Sequence, residues 1–294
     1  MGVVQGVSEL VDTGTADVTE ETVTVDGTRL RYLTGGAGET PLILLHGGII
    51  DAAHISWGEL LGPLAARTRV YALNLPGYGG SELPDGPLTM QRHVETVAAF
   101  VDELGIEEPV IAGTSMGGGT AVGVALSYPD RVSHVVALEA FALGSELSNG
   151  LLTWLLAKIQ VTNHLSVALM RRSRGFVESS LGNLAYDADS ISDATLDRVV
   201  AEVKRPGAGA AFRKFRAAEV TRNGYRTDYS DRVSELTVPV RYVHGRHDDL
   251  LPPRWSERAA DRTPDSELFM LEGCGHLAPL EKTDEVYDLV TELL

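Results

Sequence analysis

The most constraining feature of this chain is the string Gly113-Thr114-Ser115-Met116-Gly117, set directly after the short apolar run Pro109-Val110-Ile111-Ala112. Such a run followed by Gly-x-Ser-x-Gly predicts a buried strand that turns sharply into a helix and presents its serine at the turn. A hydroxyl is a poor nucleophile at neutral pH. Reading Ser115 as a nucleophile therefore requires a base, an orienting acid and donors for a developing oxyanion elsewhere in the chain.

Candidates for all three are present. The base is His276, in Gly273-Cys274-Gly275-His276, after an apolar strand pattern over 268–271. The acid lies in the loop 245–252, after the strand pattern over 238–243; loop spacing favours Asp248, with its neighbour Asp249 and the earlier strand-end Glu139 as competitors. The strand over 42–45 runs into His46-Gly47-Gly48, a turn that suits close approach of backbone to a substrate. The N–H groups of Gly48 and Met116 then form the expected oxyanion pair, and His46 reads as a structural hydrogen bonder beside them. The chain order serine, acid, histidine differs from that of the chymotrypsin and subtilisin folds.

With Asn74-Leu75-Pro76-Gly77-Tyr78-Gly79-Gly80-Ser81 added, these motifs make the chain from Val23 onward resemble the α/β-hydrolase fold family. That resemblance implies an α/β architecture: a mostly parallel eight-stranded sheet with helices on both faces and a helical cap. It also implies cofactor-independent chemistry through Ser115, Asp248 and His276. Two positions depart from the family pattern. Asn74 stands where relatives commonly have aspartate, at a scaffold position. Leu277 follows the histidine where the carbon–carbon bond hydrolases of the fold often carry tryptophan.

Alternating strand and helix patterns support a parallel sheet, in which ligands collect at the carboxyl ends of the strands. Residues 1–18 read as a loose tail, 19–141 and 237–294 as the core, and 142–236 as a helical cap. The expected elements are a hairpin over 21–25 and 30–33 and strands over 42–45, 70–73, 110–112 and 135–138. Helices are expected over 57–66, 90–104 and 116–127, near 255–260 and over 284–294. Cap helices are expected over 151–159, 165–170, 194–204 and 210–220. Expected pocket residues are Gly47, Ile49, Trp154, Phe212 and Leu277.

The formal net charge of −16 argues against nucleic acid or an anionic membrane surface as partner. One cysteine, Cys274, leaves no internal disulfide and reads as a small packed residue. No stretch is apolar for long enough to span a bilayer, so a cytoplasmic protein is expected. His244, His247, Asp248 and Asp249 could be mistaken for a zinc site, but the same loop already supplies the acid, so no metal is expected. The functional expectation is a serine hydrolase acting on a small or medium carboxylic ester or lactone. Alternatives are a carbon–carbon bond hydrolase or perhydrolase on the same fold and, in another class, a slow-turnover ligand receptor.

Overall fold

The computed structural model describes residues 10–11, 17–146 and 166–294. The chain opens with β1 (Leu10–Val11), β2 (Val18–Val25) and β3 (Thr28–Gly35). Next come β4 (Leu42–Leu45), β5 (Val70–Leu73), β6 (Val110–Thr114) and β7 (His134–Leu138). A separate two-stranded ribbon of β8 (Val220–Thr221) and β9 (Gly224–Tyr225) precedes β10 (Val240–Gly245) and β11 (Ser266–Leu271). The main sheet has the order β1-β2-β3-β5-β4-β6-β7-β10-β11. From β5 to β11 every pairing is parallel, whereas β1, β2 and β3 are antiparallel to their neighbours.

These are the expected eight strands with one short addition. Leu10↔Thr19 and Val11↔Val18 pair within the stretch read as a loose tail, so part of it is an edge strand. The pattern there was invisible because two residues carry no periodicity.

All four residues of β4 are fully buried, which a strand covered on both faces requires. Alternate residues enter different cores: Ile43 and Leu45 join Ile111, Val135 and Tyr242, while Leu42 and Leu44 join Val110, Ala112, Val136 and Val243. The first core is closed by α3 (Met90–Leu104), α4 (Met116–Ser127) and, further on, α8 (Arg254–Arg262). The second is closed by α1 (Ala53–Ser56), α2 (Leu61–Ala65), α9 (Ala278–Glu281) and α10 (Thr283–Thr291).

Of the single helix expected over 57–66 only the short α2 forms, after a turn at 57–60 that separates it from α1. Pro63 has no N–H to donate, so it is tolerated in the first turn of α2 but not inside a helix begun at 57. By contrast α3 appears as expected, because both ends are specified locally: Thr89 accepts the Arg92 N–H and Gly105 takes the left-handed cap at φ 61°.

Between β7 and β10 lie α5 (Arg174–Gly182), α6 (Asp193–Lys204) and α7 (Ala210–Glu219). The helix expected over 151–159, with Trp154 in it, lies outside the described residues; of 165–170, residues 166–170 are helical. The helix expected over 210–220 ends one residue early, where Val220 begins β8.

His93, on the inner face of α3, is fully buried with no hydrogen-bond partner on either ring nitrogen, and it packs 5.7 Å from the Phe215 ring. Burial, aided by the charge of Arg92, pushes its pKa down to about 3. The folded value lies below the unfolded one of about 6.5, so this group favours unfolding increasingly as pH falls below 6.5. In urea unfolding between pH 7.5 and 4.5, His93→Leu should flatten the acid loss of stability by roughly 1.4 kcal/mol per pH unit. Parallel curves for the two proteins would contradict a buried neutral imidazole.

Candidate active site

Ser115 sits between β6 and α4 with φ 53° and ψ −116°, a backbone region that residues with a Cβ rarely occupy. Three backbone bonds hold it there. Its N–H donates to Leu138 O at 2.8 Å, and its carbonyl accepts Phe141 N–H at 2.9 Å and Gly119 N–H at 3.0 Å. The flanking glycines are required by contact. A Cβ on Gly113 would lie 2.3 Å from Gly117 O, and one on Gly117 would lie 2.4 Å from Leu45 O.

The predicted side chains converge. Ser115 Oγ lies 3.0 Å from His276 Nε2, and His276 Nδ1 lies 2.7 Å from Asp248 Oδ2. His276 and Asp248 are buried. Asp248 Oδ1 accepts the Leu250 and Leu251 N–H groups at 2.8 and 3.0 Å. Burial alone would raise the Asp248 pKa, but the charge on His276 and hydrogen bonds from His244 and His276 outweigh it and hold the carboxyl far below its usual range.

The two competing acids are placed elsewhere. Asp249 is exposed. Glu139 is fully buried at the end of β7, where its Oε2 meets Thr114 Oγ1 at 3.4 Å and its Oε1 has no hydrogen-bond partner. Burial and the nearby negative charge of Asp248 push Glu139 well above the usual range, so it is held as a neutral acid.

Met116 opens α4, so its N–H has no carbonyl one turn back to bond. On the opposite wall, the His46 ring spans two backbone groups: Nδ1 donates to Gly47 O at 2.7 Å and Nε2 accepts the Leu75 N–H at 3.0 Å. Burial lowers the His46 pKa to about 4, which keeps that tautomer neutral. The C=O and N–H of one trans peptide point in opposite directions. Pinning the Gly47 carbonyl to His46 therefore turns the Gly48 N–H away from His46, and Gly48 lines the cavity. Asp51 holds the same turn from its other end, accepting from Gly47 N–H at 2.8 Å and Ser56 Oγ at 2.6 Å. Burial raises its pKa to about 6.

The cavity above Ser115 has a volume of about 540 Å³ and includes Ser115, Met116 and His276 in its wall. Four of the expected pocket residues, Gly47, Ile49, Phe212 and Leu277, line it, whereas Trp154 falls outside the described residues. Phe212 presses on the Gly47-Gly48 turn closely enough that a Cβ on Gly48 would lie 3.0 Å from its ring. The other walls include Phe141, Phe215, Val177 and Met170, with Arg216 and Glu219 as charged members. His54 and Trp57 do not line it; Trp57 is fully buried in the core behind.

The cap side is fastened through backbone. His276 N–H donates to Leu184 O at 2.8 Å, Glu219 accepts the Met90 N–H at 2.9 Å, and Glu281 accepts the Tyr186 N–H at 2.7 Å. Cys274 is buried, and burial with the nearby charge of Glu281 pushes its thiol up, so it stays protonated. Among the described residues no group of three or more His, Cys, Asp or Glu side chains could hold a metal. Among them, too, no helix is long and apolar enough to cross a membrane.

Sequence reasoning missed Asp51, Arg216 and the partnership of His244 with Asp248. His244 Nε2 lies 3.1 Å from Asp248 Oδ2. Its spacing of four residues ahead of Asp248 is the signal in the sequence that fits this pairing.

The model of the alpha/beta hydrolase fold matches residues 40–283. The chain belongs to the α/β-hydrolase fold family. This α/β-hydrolase is 28% identical over 272 residues to the dihydrolipoyllysine-residue acetyltransferase component of an acetoin cleaving system of Cupriavidus necator, covering 92% of this chain and 67% of that one. It is 27% identical over 278 residues to a 2-hydroxymuconate semialdehyde hydrolase of Pseudomonas sp. strain CF600, covering 91% of each. Among solved structures, a serine hydrolase involved in carbazole degradation superposes with a TM-score of 0.79 at 23% identity, over 94% of this chain and 98% of that one. The family and the relatives named as hydrolases make this chain an enzyme, a hydrolase.

Asp248 and Asp249 separate by experiment. Asp248→Asn should lower turnover on the order of 10⁴-fold, while Asp249→Asn should change it by no more than about threefold. The reverse order, read in any steady-state assay of the enzyme, would move the acid by one residue.

Proposed function

We propose that this α/β-hydrolase cleaves a carbon–carbon bond beside a ketone in a small acidic compound, with Ser115 as nucleophile, His276 as base and then acid, and Asp248 as the orienting acid. The observation that carries the reading is the unbroken chain of contacts Ser115–His276–Asp248 opening onto a largely apolar cavity whose lining, among the described residues, includes the cationic side chain of Arg216. Relatives named as hydrolases of 2-hydroxymuconate semialdehyde support the substrate class. Arg216 remains cationic although burial lowers its pKa, and its planar fork suits a carboxylate.

In this reading Ser115 Oγ attacks the ketone carbon and its proton passes to His276 Nε2. The carbonyl oxygen takes the negative charge, received by the N–H groups of Gly48 and Met116. Collapse then breaks the carbon–carbon bond. The departing carbon leaves as a dienolate, delocalised into its conjugated keto acid, and takes the proton back from His276. An acyl-Ser115 ester remains. Water attacks it, giving a proton to His276 and returning the serine hydroxyl, so the sum is one water consumed and two fragments released.

Leu277 favours a second reading, hydrolysis of a carboxylic ester or lactone, since an apolar side chain lines the cavity where carbon–carbon hydrolases of the fold often carry tryptophan. The same residues would act, with an alkoxide as leaving group. No metal or cofactor enters either scheme, and the cytoplasmic location with no nucleic-acid or membrane partner remains part of the proposal.

A vinylogous 1,5-diketone acid assayed beside p-nitrophenyl esters decides between them. The first reading expects kcat/KM for the diketone to exceed that for the esters by at least about 10²-fold, a difference of roughly 2.7 kcal/mol in transition-state stabilisation. Activity confined to the esters establishes the second. On the diketone acid, Arg216→Gln should raise KM by roughly tenfold to a hundredfold and leave kcat within about threefold, because it removes a charge-assisted contact made equally in ground and transition states. An unchanged KM would remove Arg216 from the binding of the acid.

A further inference from the structure

We propose that His244 is a positioning residue for the reaction, a second imidazole that fixes the Asp248 carboxylate in the plane from which it orients His276. The inference rests on reading Ser115, His276 and Asp248 as the triad. Both imidazoles reach the same oxygen: Asp248 Oδ2 lies 2.7 Å from His276 Nδ1 and 3.1 Å from His244 Nε2. The other oxygen, Oδ1, takes the two backbone N–H groups of Leu250 and Leu251. Four donors thus hold one carboxylate, and its rotation is removed.

The proton on His244 is fixed by its neighbours. Nε2 faces two acceptors, Asp248 Oδ2 and Leu251 O at 3.1 Å, so it carries the hydrogen. Nδ1 is then an acceptor and takes the hydroxyl of Ser256, 2.7 Å away on α8. His244 and Ser256 are both fully buried, so water does not compete for these bonds. A chain Ser256–His244–Asp248–His276–Ser115 therefore runs from the helix behind the sheet to the nucleophile. Other titratable groups near it are Glu139 at the end of β7, Cys274 on the turn before His276, and Glu281 on α9, which accepts the Gly275 N–H at 3.0 Å.

Two donors on Oδ2 divide its negative charge. Removing His244 leaves more of that charge for the imidazolium of His276 while loosening the carboxylate. The nucleophile should then become slower, and its activation should require a higher pH.

A fluorophosphonate that labels Ser115 reads this without knowledge of the substrate. Wild type, His244→Leu, His244→Gln and Ser256→Ala are compared by kinact and KI from pH 5 to 9, with thermal melting alongside. His244→Leu should lower kinact on the order of tenfold to a hundredfold with KI within about twofold, and move the acid limb up by roughly half a pH unit. Glutamine places an amide N–H near the position of Nε2, so His244→Gln should recover kinact to within about fivefold of wild type and restore the limb. Ser256→Ala keeps the donor but frees the tautomer, and should shift the limb the same way by less.

A wild-type limb in His244→Leu overturns the proposal, whether or not the rate falls, because a purely structural defect lowers the rate without moving the limb. If His244→Leu does not fold, a wild-type kinact and limb in Ser256→Ala overturn it. Ser115→Ala and Asp248→Asn run in the same series. Labelling that survives in Ser115→Ala, or stays fast in Asp248→Asn, defeats the triad itself, whereas their loss beside wild-type behaviour of the His244 variants defeats this inference alone.

Discussion

A serine whose backbone is held at φ 53° makes the rest of the site possible. A residue in so sparse a region costs on the order of 1–3 kcal/mol, and it persists only where its surroundings over-determine it. They do so here. Its N–H and carbonyl are tied to Leu138 and Phe141, across the neighbouring strand, and α4 buries Val122 and Val124 directly behind it. Burying two valines contributes roughly 3–6 kcal/mol, enough to offset the strain. Ile49 and Glu139, which follow β4 and β7, also have positive φ, so strained backbone gathers where the strands end and the cavity begins.

The electrostatic arrangement follows from what is buried there. Two carboxyls, Asp248 and Glu139, lie close together out of water, and the structure leaves the charge on only one. Asp248 receives four donors and stays ionised; Glu139 has fewer, from Thr114 and the Gly245 backbone, feels the charge on Asp248 and is held neutral. A neutral His46 and a protonated Cys274 complete a setting in which the negative charge nearest the His276 ring is that of its own acid. The acidic surplus of the whole chain plays no part in this, because its net charge of −16 resides mostly on the surface.

The helices between β7 and β10 do more than cover. Bonds from the segment after α5 reach the turn that carries His276: the Leu184 carbonyl holds the backbone of His276, and Glu281 on α9 ties both Gly275 and Tyr186. Phe212 lies against Gly48, so the same element that closes the cavity also presses on the turn after β4. The shape of the cavity and the placement of Gly48 and His276 are therefore set by one interface.

What the sequence determined by itself is what local chemistry can encode. All-apolar runs such as Leu42–Leu45 specify strands buried on both faces, Thr89 and Gly105 specify the ends of α3, and Gly113 and Gly117 specify the turn around Ser115. The order serine, acid, histidine was equally legible, because each lies just past a strand and a parallel sheet brings strand ends to one edge. Only the tertiary structure decided which partners meet across that edge. It set Asp248 against His276 while leaving Asp249 exposed, and paired His244 with Asp248. It also brought Arg216 into the cavity wall and paired Leu10–Val11 with β2. The physical reason is range. Periodicity and capping act over a few residues, whereas the contacts that select a partner join groups that are distant in sequence and come together only after the core has packed.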